Sequence, residues 1–361
     1  MPFSRLYGSL TDLRNRLYDR GLLRSYSLGA PTISVGNITT GGTGKTPLVA
    51  HIALALATRG EKVCILTRGY GRRYASERVV VSDGEKIVSD PSIAGDEPVE
   101  LALKLSRKAI IIADADRVAA AEWALREYGV TAFILDDGFQ HRKAKRDVDI
   151  VCVDATDPWG GLKTLPGGRL REPLAGMRRA DIAVITRSDL VPDIEDLRAE
   201  ISNWNPDAAI FAAQNEIVRV TELEDLRSRF QRPDLSDADQ PNASPFDVLT
   251  VKSNGAKSEI RLVAFCGLGN PENFFMQIRK EDEKNKDFNL CITKSFPDHH
   301  SYTQADIDDL EAEARQGAGV CAFVTTAKDA IKLSGIRFSI PCYVVEIDVV
   351  LDKPDAFVKL L

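Results

Sequence analysis

A short run of residues, Thr32 to Thr46, constrains this chain more than any other. Thr32, Ile33, Ser34 and Val35 read as a buried strand, and the loop behind them carries Gly41, Gly42 and Gly44 before closing on Lys45 and Thr46. Pro47 then suits the first turn of a helix. Strand, glycine-rich turn, Lys-Thr and helix are the parts of a phosphate-binding loop. Glycines let the backbone curl so that its N–H groups face phosphate oxygens, and the helix N-terminus adds positive potential. In that reading Lys45 reaches the β- and γ-phosphates and the Thr46 hydroxyl binds Mg²⁺. The strict pattern has its first glycine at position 39, where this chain has Thr39. The alternative is a glycine-rich turn with an incidental lysine.

A second signal sits a hundred residues on. Ala132, Phe133, Ile134 and Leu135 form an apolar run that ends in Asp136 and Asp137. Carboxylates at the end of a strand can hold the far side of a phosphate-bound magnesium or its waters. Asp-Asp-Gly is also turn chemistry, which keeps a plain surface turn in view. Gln140 and His141 follow within reach of the same edge. Asp96, in Gly95-Asp-Glu-Pro98, reads either as a helix N-cap or as a carboxylate base that takes a hydroxyl proton during phosphoryl transfer. Arg68, Arg117 and Arg171 lie at strand ends or in Gly/Pro-rich loops, with Glu172 beside the last. Guanidinium groups there suit phosphate or carboxylate recognition, or ordinary surface ion pairs. A zinc site is a weak reading: His299 and His300 are adjacent, but the chain has 4 histidines in all and no third ligand at suitable spacing.

The organisation around these motifs is an alternation of short β-branched runs with helical stretches. Strands are expected at 32–35, 62–67, 109–113, 132–135, 149–153 and 181–186, and helices at 45–58, 96–106 and 116–128. That alternation predicts an α/β fold of the P-loop NTPase type, a mostly parallel sheet with helices on both faces, plus a second, smaller α/β domain. With 361 residues there is room for both. We place a P-loop core at 31–220, a linker or insertion at 221–260, rich in Asp, Ser, Pro and Asn over 228–256, and the smaller domain at 261–361. In the last region strands are expected at 261–265, 289–293, 322–325 and 342–347, and helices near 273–279 and 303–316.

Composition narrows the class. Hydrophobic residues are 44% and charged residues 28% of the chain, as in globular proteins. The formal charge of -6 argues against a general nucleic-acid partner. The 6 cysteines are widely spaced and often flanked by apolar residues, as buried reduced thiols are. No run is apolar enough to span a bilayer, and no signal peptide is visible. Residues 1–30 nevertheless carry Phe3, Leu6, Leu10, Leu13 and Leu17 at helical spacing, with Arg5, Arg14, Arg16, Arg20 and Arg24 among them. Such a helix either lies in a membrane interface or packs its leucines on the protein's own core.

Taken in order, the motifs resemble one family. They are Val35 through Pro47, Thr67-Arg-Gly-Tyr-Gly71, Gly95-Asp-Glu-Pro98, Asp114-Ala-Asp-Arg117, Leu135-Asp-Asp-Gly-Phe-Gln-His141, Leu170-Arg-Glu172, Phe296-Pro-Asp-His-His300 and Thr325-Thr-Ala-Lys-Asp329. This ordered set resembles tetraacyldisaccharide 4'-kinase, the lipid A 4'-kinase. The resemblance implies transfer of the ATP γ-phosphate to the 4'-hydroxyl of a tetraacylated glucosamine disaccharide 1-phosphate, a lipid A precursor. It implies that Thr39, Thr40, Gly41, Gly42, Thr43, Gly44, Lys45 and Thr46 bind ATP, and that threonine at 39 is a family trait. It implies that Thr46 and Asp137 serve Mg²⁺, that Asp136 supports the acidic site, that Arg171 and Glu172 border it, and that Asp96 pairs with His299 (or His300) as the base. It further implies a glycolipid substrate and a peripheral seat on the cytoplasmic face of a Gram-negative inner membrane, through the N-terminal helix. A monomer is expected. Three rivals remain on residues alone. A partitioning ATPase would want lysine where Thr40 stands. A GTPase would want a clear base-reading Asn-Lys-x-Asp, which Thr186-Arg-Ser-Asp189 copies poorly. A kinase of soluble small molecules is the third.

Overall fold

Apolar, β-branched runs without polar alternation should become strands buried on both faces, and they do. The computed structural model describes residues 2–69, 77–105, 108–231, 246, 260–285, 288–316 and 322–361. Tyr70, Gly71, Ser106, Cys321 and most of the 228–256 stretch lie outside them. The chain divides into two units, Met1–Asn215 with Val349–Leu361, and Glu216–Asp348.

The first unit runs α1 (Pro2–Asp19), β1 (Thr32–Asn37), α2 (Lys45–Thr58), β2 (Val63–Thr67), β3 (Val79–Asp83), α3 (Pro91–Ala94), α4 (Asp96–Leu105), β4 (Ile110–Ala113), α5 (Arg117–Tyr128), β5 (Ala132–Asp136), β6 (Val148–Asp154), β7 (Ile182–Thr186), α6 (Glu195–Trp204) and the start of β8 (Ala209–Glu222). Its strand order is β8-β7-β6-β1-β5-β2-β4-β3. All pairings are parallel except β3 with β4. The chain lays β2, β4 and β5 on one side of β1 and then β6 to β8 on the other. That reversal puts a crevice at the carboxyl ends of the central strands.

Local sequence explains why these elements stop where they do. The Asp116 side chain accepts hydrogen bonds from Val118 N and Ala119 N and so caps α5, which ends at left-handed Gly129. The inner side of α5, Val118, Ala120, Ala121 and Ala124, packs with Leu66, Ile112, Phe133 and Leu135. A second cluster joins Ile38, Phe139, Val151, Val153, Met177, Ile185 and Ile201.

The ends of the chain depart from expectation. Residues 349–361 belong to the first unit rather than to a domain spanning 261–361. Asp352 N donates to Ala212 O at 2.9 Å, and its carboxylate accepts from Ala212 N at 3.1 Å and Arg198 at 3.0 Å. Phe357 is fully buried, edge-on to Phe211 at 5.3 Å. At the other end, α1 stops at Asp19 rather than continuing toward residue 30. Apart from the partly buried Leu17, its apolar stripe does not pack on the core: Phe3, Leu6, Leu10 and Leu13 are 70%, 59%, 57% and 54% exposed. At about 100° per residue these four share one face, and Ser4, Gly8, Thr11 and Asn15 share the opposite one. No helix among the described residues is long and apolar enough to cross a membrane. Cys64, Cys152, Cys266 and Cys342 are buried free thiols, and Cys291 is partly exposed.

The second unit begins with the remainder of β8, then α7 (Leu223–Gln231), β9 (Ile260–Cys266), α8 (Pro271–Asn285), β10 (Phe288–Ser295), α9 (Gln304–Gln316), β11 (Ala322–Thr326), a turn at Ala327–Ala330, and most of β12 (Cys342–Leu351). Its strands lie parallel in the order β10-β9-β11-β12. The helix α7 falls where a linker is expected. Leu223 and Leu226 anchor it in a core with Val263, Phe265 and Phe323, an apolar pair too brief to stand out among polar residues.

Candidate active site

The loop after β1 is built to leave its backbone open. Gly44 adopts the left-handed conformation (φ 73°) that begins α2, which costs a side-chain-bearing residue about 1–2 kcal/mol. Gly41 and Gly42 are exposed, whereas Thr39 and Thr43 are buried. Thr40 N donates to Arg169 O at 2.7 Å, and Arg171 N donates to Ile38 O at 2.8 Å. These bonds zip the first half of the loop to the strap 164–173. The far half is braced by Thr186, whose hydroxyl donates to Thr43 O at 2.9 Å. Thr186-Arg-Ser-Asp189 therefore works as a strut under the loop. The Thr43 hydroxyl is buried with no hydrogen-bond partner among the described residues. Lys45 Nζ donates to Asn37 Oδ1 at 3.1 Å and lies 3.6 Å from Asp137. Thr46 occupies the first turn of α2.

The acidic pair arrives on the neighbouring strand. β5 pairs with β1 so that Asp136 sits opposite Val35, and Gly138 N donates to Val35 O at 2.9 Å. Close approach there requires glycine at 36, because a Cβ would meet Phe139 N at 2.6 Å. Burial pushes the Asp136 carboxyl up to about 6, reinforced by the charges of Asp137 and Glu97 and partly offset by Lys45 and Arg117. Asp137 differs. Burial would raise it, but Lys45 and Arg171 outweigh burial and hold it below the usual carboxylate range. Arg171 places one nitrogen 2.7 and 2.8 Å from the two Asp137 oxygens.

Three of the remaining candidates, Arg117, Glu172 and His141, are at least partly buried beside this edge. Arg117 is buried and donates to the main-chain carbonyls of Asp136 at 2.8 Å and Asp137 at 3.4 Å, so it shapes the acidic turn. Glu172 is 1% exposed and accepts from Arg179 (2.9 Å twice), Gln140 (2.9 Å) and Asn15 (2.6 Å). Four donors thus converge on this buried carboxylate beside the site. His141 has a buried Nε2 with no hydrogen-bond partner among the described residues, and burial, then Arg117 and Arg146, push its imidazole down to about 4. It is therefore a neutral ring near pH 7.

Asp96 is the first residue of α4, which packs against α2. Its neighbour Glu97 lies close enough to Asp136 to raise that carboxyl. The amino end of α4 thus comes to the acidic pair. Arg68 is exposed at the carboxyl end of β2, the same edge of the sheet. Lys45, Thr46, Asp136, Asp137, Arg171 and the start of α4 are brought together in the first unit. Asn37, Glu97 and Thr186, which lie inside motifs without being singled out, and Arg179 and Asn15, which no motif contains, complete the arrangement.

His299 and His300 belong to the second unit. His300 Nε2 lies 3.2 Å from Asp306 Oδ2, and its ring stacks on Phe296 at 4.8 Å. The His299 backbone is left-handed (φ 58°), and its half-exposed ring lies 3.9 Å from Asp298. Asp329, at the end of Thr325-Thr-Ala-Lys-Asp329, is fully buried and accepts from Gly267 N, Tyr302 Oη (both 3.0 Å) and Thr326 Oγ1 (2.7 Å). Its oxygens hold this turn together.

The oxygen-donor set fits Mg²⁺. Among the described residues no cluster of His, Cys, Asp or Glu could cage a metal by itself. Mg²⁺ characteristically takes one or two carboxylates together with substrate phosphates, and the Thr46 hydroxyl with Asp137 and Asp136 supplies that complement. Fold and site together define a P-loop nucleotide-binding α/β protein with the acidic edge of a phosphotransferase. The family described as Tetraacyldisaccharide-1-P 4'-kinase matches residues 1–361, and the chain belongs to it. Tetraacyldisaccharide 4'-kinase of Halothermothrix orenii is 37% identical over 91% of this chain and 81% of its own length. That of Geobacter sulfurreducens is 36% identical over 91% and 82%. A crystal structure of LpxK from Aquifex aeolicus in complex with ATP superposes with a TM-score of 0.73 at 32% identity, over 99% of this chain and 96% of that one.

Proposed function

We propose that this chain transfers the γ-phosphoryl group of ATP to the 4'-hydroxyl of a tetraacyldisaccharide 1-phosphate, giving the 1,4'-bisphosphate and ADP. One observation carries the reading: Lys45 is held between Asn37 and Asp137 at the mouth of an open glycine loop. A cation fixed there meets charge that develops on the transferring group, and a fixed donor needs no reorganisation at the moment of reaction. Mg²⁺ held by Thr46 and Asp137 would add positive charge along the phosphate oxygens. We assign acceptance of the hydroxyl proton to Asp96, at the amino end of α4.

The substrate's acyl chains make the reaction interfacial. The exposed face of α1 (Phe3, Leu6, Leu10, Leu13) has arginines on either side of it in the helix, the pattern of a helix lying in a bilayer surface. We place the protein peripherally on the cytoplasmic face of the inner membrane, where ATP is supplied.

The test is incubation with γ-labelled ATP and purified disaccharide 1-phosphate in detergent micelles, with mass analysis of the lipid. One added phosphate on the 4' oxygen, with stoichiometric ADP, is expected. ADP release that ignores the glycolipid would sink the reading. In the same assay Asp96→Asn should lower kcat by roughly 10²–10⁴-fold while ATP affinity is kept. An unaltered turnover would remove Asp96 from the proton transfer.

A further inference from the structure

The inner face of α1 is wired to the phosphate loop. Asn15 Nδ2 donates to Glu172 Oε2 at 2.6 Å. Glu172 Oε1 accepts from Gln140 Nε2 at 2.9 Å, and the same amide nitrogen donates to Asn37 O at 2.9 Å. The Asn37 side chain in turn receives Lys45 at 3.1 Å. Gln140 Oε1 also accepts from Arg171 at 3.3 Å, the residue that holds Asp137. Arg14, next to Asn15, donates to Gln140 O at 2.8 Å. A second route runs through the strap. The Thr164 hydroxyl donates to Ser4 O, and Gly167 N donates to Ser4 Oγ at 3.0 Å. The same strap carries Glu172, and through Arg169 O and Arg171 N it binds Thr40 N and Ile38 O.

This arrangement exceeds what an anchor needs. An anchor has to present an apolar face, and exposed surface residues could fix its other side. Here the helix instead sends an amide into a carboxylate that is 1% exposed and shared with the loop's own orienting glutamine. Buried carboxylates are sensitive to the number and direction of their donors, because a missing partner leaves charge without compensation. We propose that Asn15 is a positioning residue of the phosphoryl-transfer site. It fixes Glu172, and through Gln140 and Asn37 it sets Lys45 and Arg171. The helix proposed to face the lipid is thereby linked by hydrogen bonds to the frame of the nucleotide site. The proposal rests on the kinase reading above.

Asn15→Ala and the isosteric Asn15→Asp test it, each measured as full-length protein beside the parent. Asn15→Ala removes one donor, and Asn15→Asp sets a second carboxylate against Glu172. The readouts are kcat and KM for ATP in micelles, the Kd for Mg·ATP without glycolipid, thermal melting, and co-sedimentation with phosphatidylglycerol vesicles. We expect kcat to fall about tenfold in Asn15→Ala and further in Asn15→Asp. Mg·ATP should bind several-fold more weakly to both, with vesicle binding unchanged. Asn15→Gln, which keeps an amide donor, should recover part of the loss. The proposal is overturned if both variants keep parental kcat and nucleotide affinity. It is equally overturned if activity falls only in proportion to the unfolded fraction, the folded molecules turning over normally. A parent that binds Mg·ATP but leaves the glycolipid untouched would instead remove the kinase reading, and the nucleotide affinities would still judge Asn15.

Discussion

Asp149 shows how much a single buried charge can record about its surroundings. It sits on β6 beside β1, 3% exposed, with Arg146 at 3.9 Å. Burial pushes its carboxyl up from 3.8 to about 6, and Arg146 only partly offsets this. The folded chain therefore holds this proton more tightly than the unfolded chain does. The contribution to stability is full below about pH 4 and is lost as pH rises through about 6. Asp149→Asn cannot titrate. The stability of the parent relative to Asp149→Asn should fall by on the order of 2–3 kcal/mol between pH 4 and pH 7. Urea melts of both proteins across that range check it, and a constant difference would refute it. At this scale the sequence is uneven. Lys45, Thr46, Asp136 and Asp137 stand out because glycines or an apolar strand frame them. Asn37, Thr186 and Asn15 do not, because their partners are supplied by the fold: Asn15 and Glu172 are 157 positions apart. Glu172 stands out for its neighbours, but its burial and its donors are set by the fold.

Among the elements, α1 makes the clearest separation between two faces. Its outer leucines contribute little to folding, since water already covers them. Replacing Leu6 and Leu10 by serine should leave the melting temperature unchanged. It should weaken co-sedimentation with anionic vesicles by about tenfold or more, given roughly 1.5–3 kcal/mol for each fully buried leucine. Equal binding by the double variant would show that α1 is not the lipid contact. Helical periodicity revealed this element but not its orientation, because an apolar stripe looks the same whether a core or a bilayer covers it. The central strands were legible from their unbroken β-branched runs. The edge strand β3, the helix α6 and the long β8 were not. In β8, Gln214, Asn215 and Glu216 interrupt the apolar pattern, and β3 lies at the edge of the sheet beside β4.

At the level of the whole chain, the division into two units follows contacts rather than sequence order. The first unit is closed by residues from the far end, with Phe357 buried between Phe211 and His51. Phe357→Ala should cost about 3–5 kcal/mol and lower the melting temperature of the nucleotide-binding unit. Protection by Mg·ATP against proteolysis reports on that unit, and undiminished protection would show that the tail is dispensable. Composition at 261–361 could not disclose this, because 349–361 differ from the residues before them in destination and not in character.

The tail also bears on how the protein is made. A ribosome that has released the first 215 residues has exposed the glycine loop and its acidic partners, yet the slot for Phe357 is still empty. Another 133 residues, the entire second unit, must emerge before that slot can be filled. Domains usually settle in the order they are synthesised. Here the earlier one has to wait for the later one, and a nascent chain stalled in between would display an unfilled apolar slot to whatever chaperone reached it first.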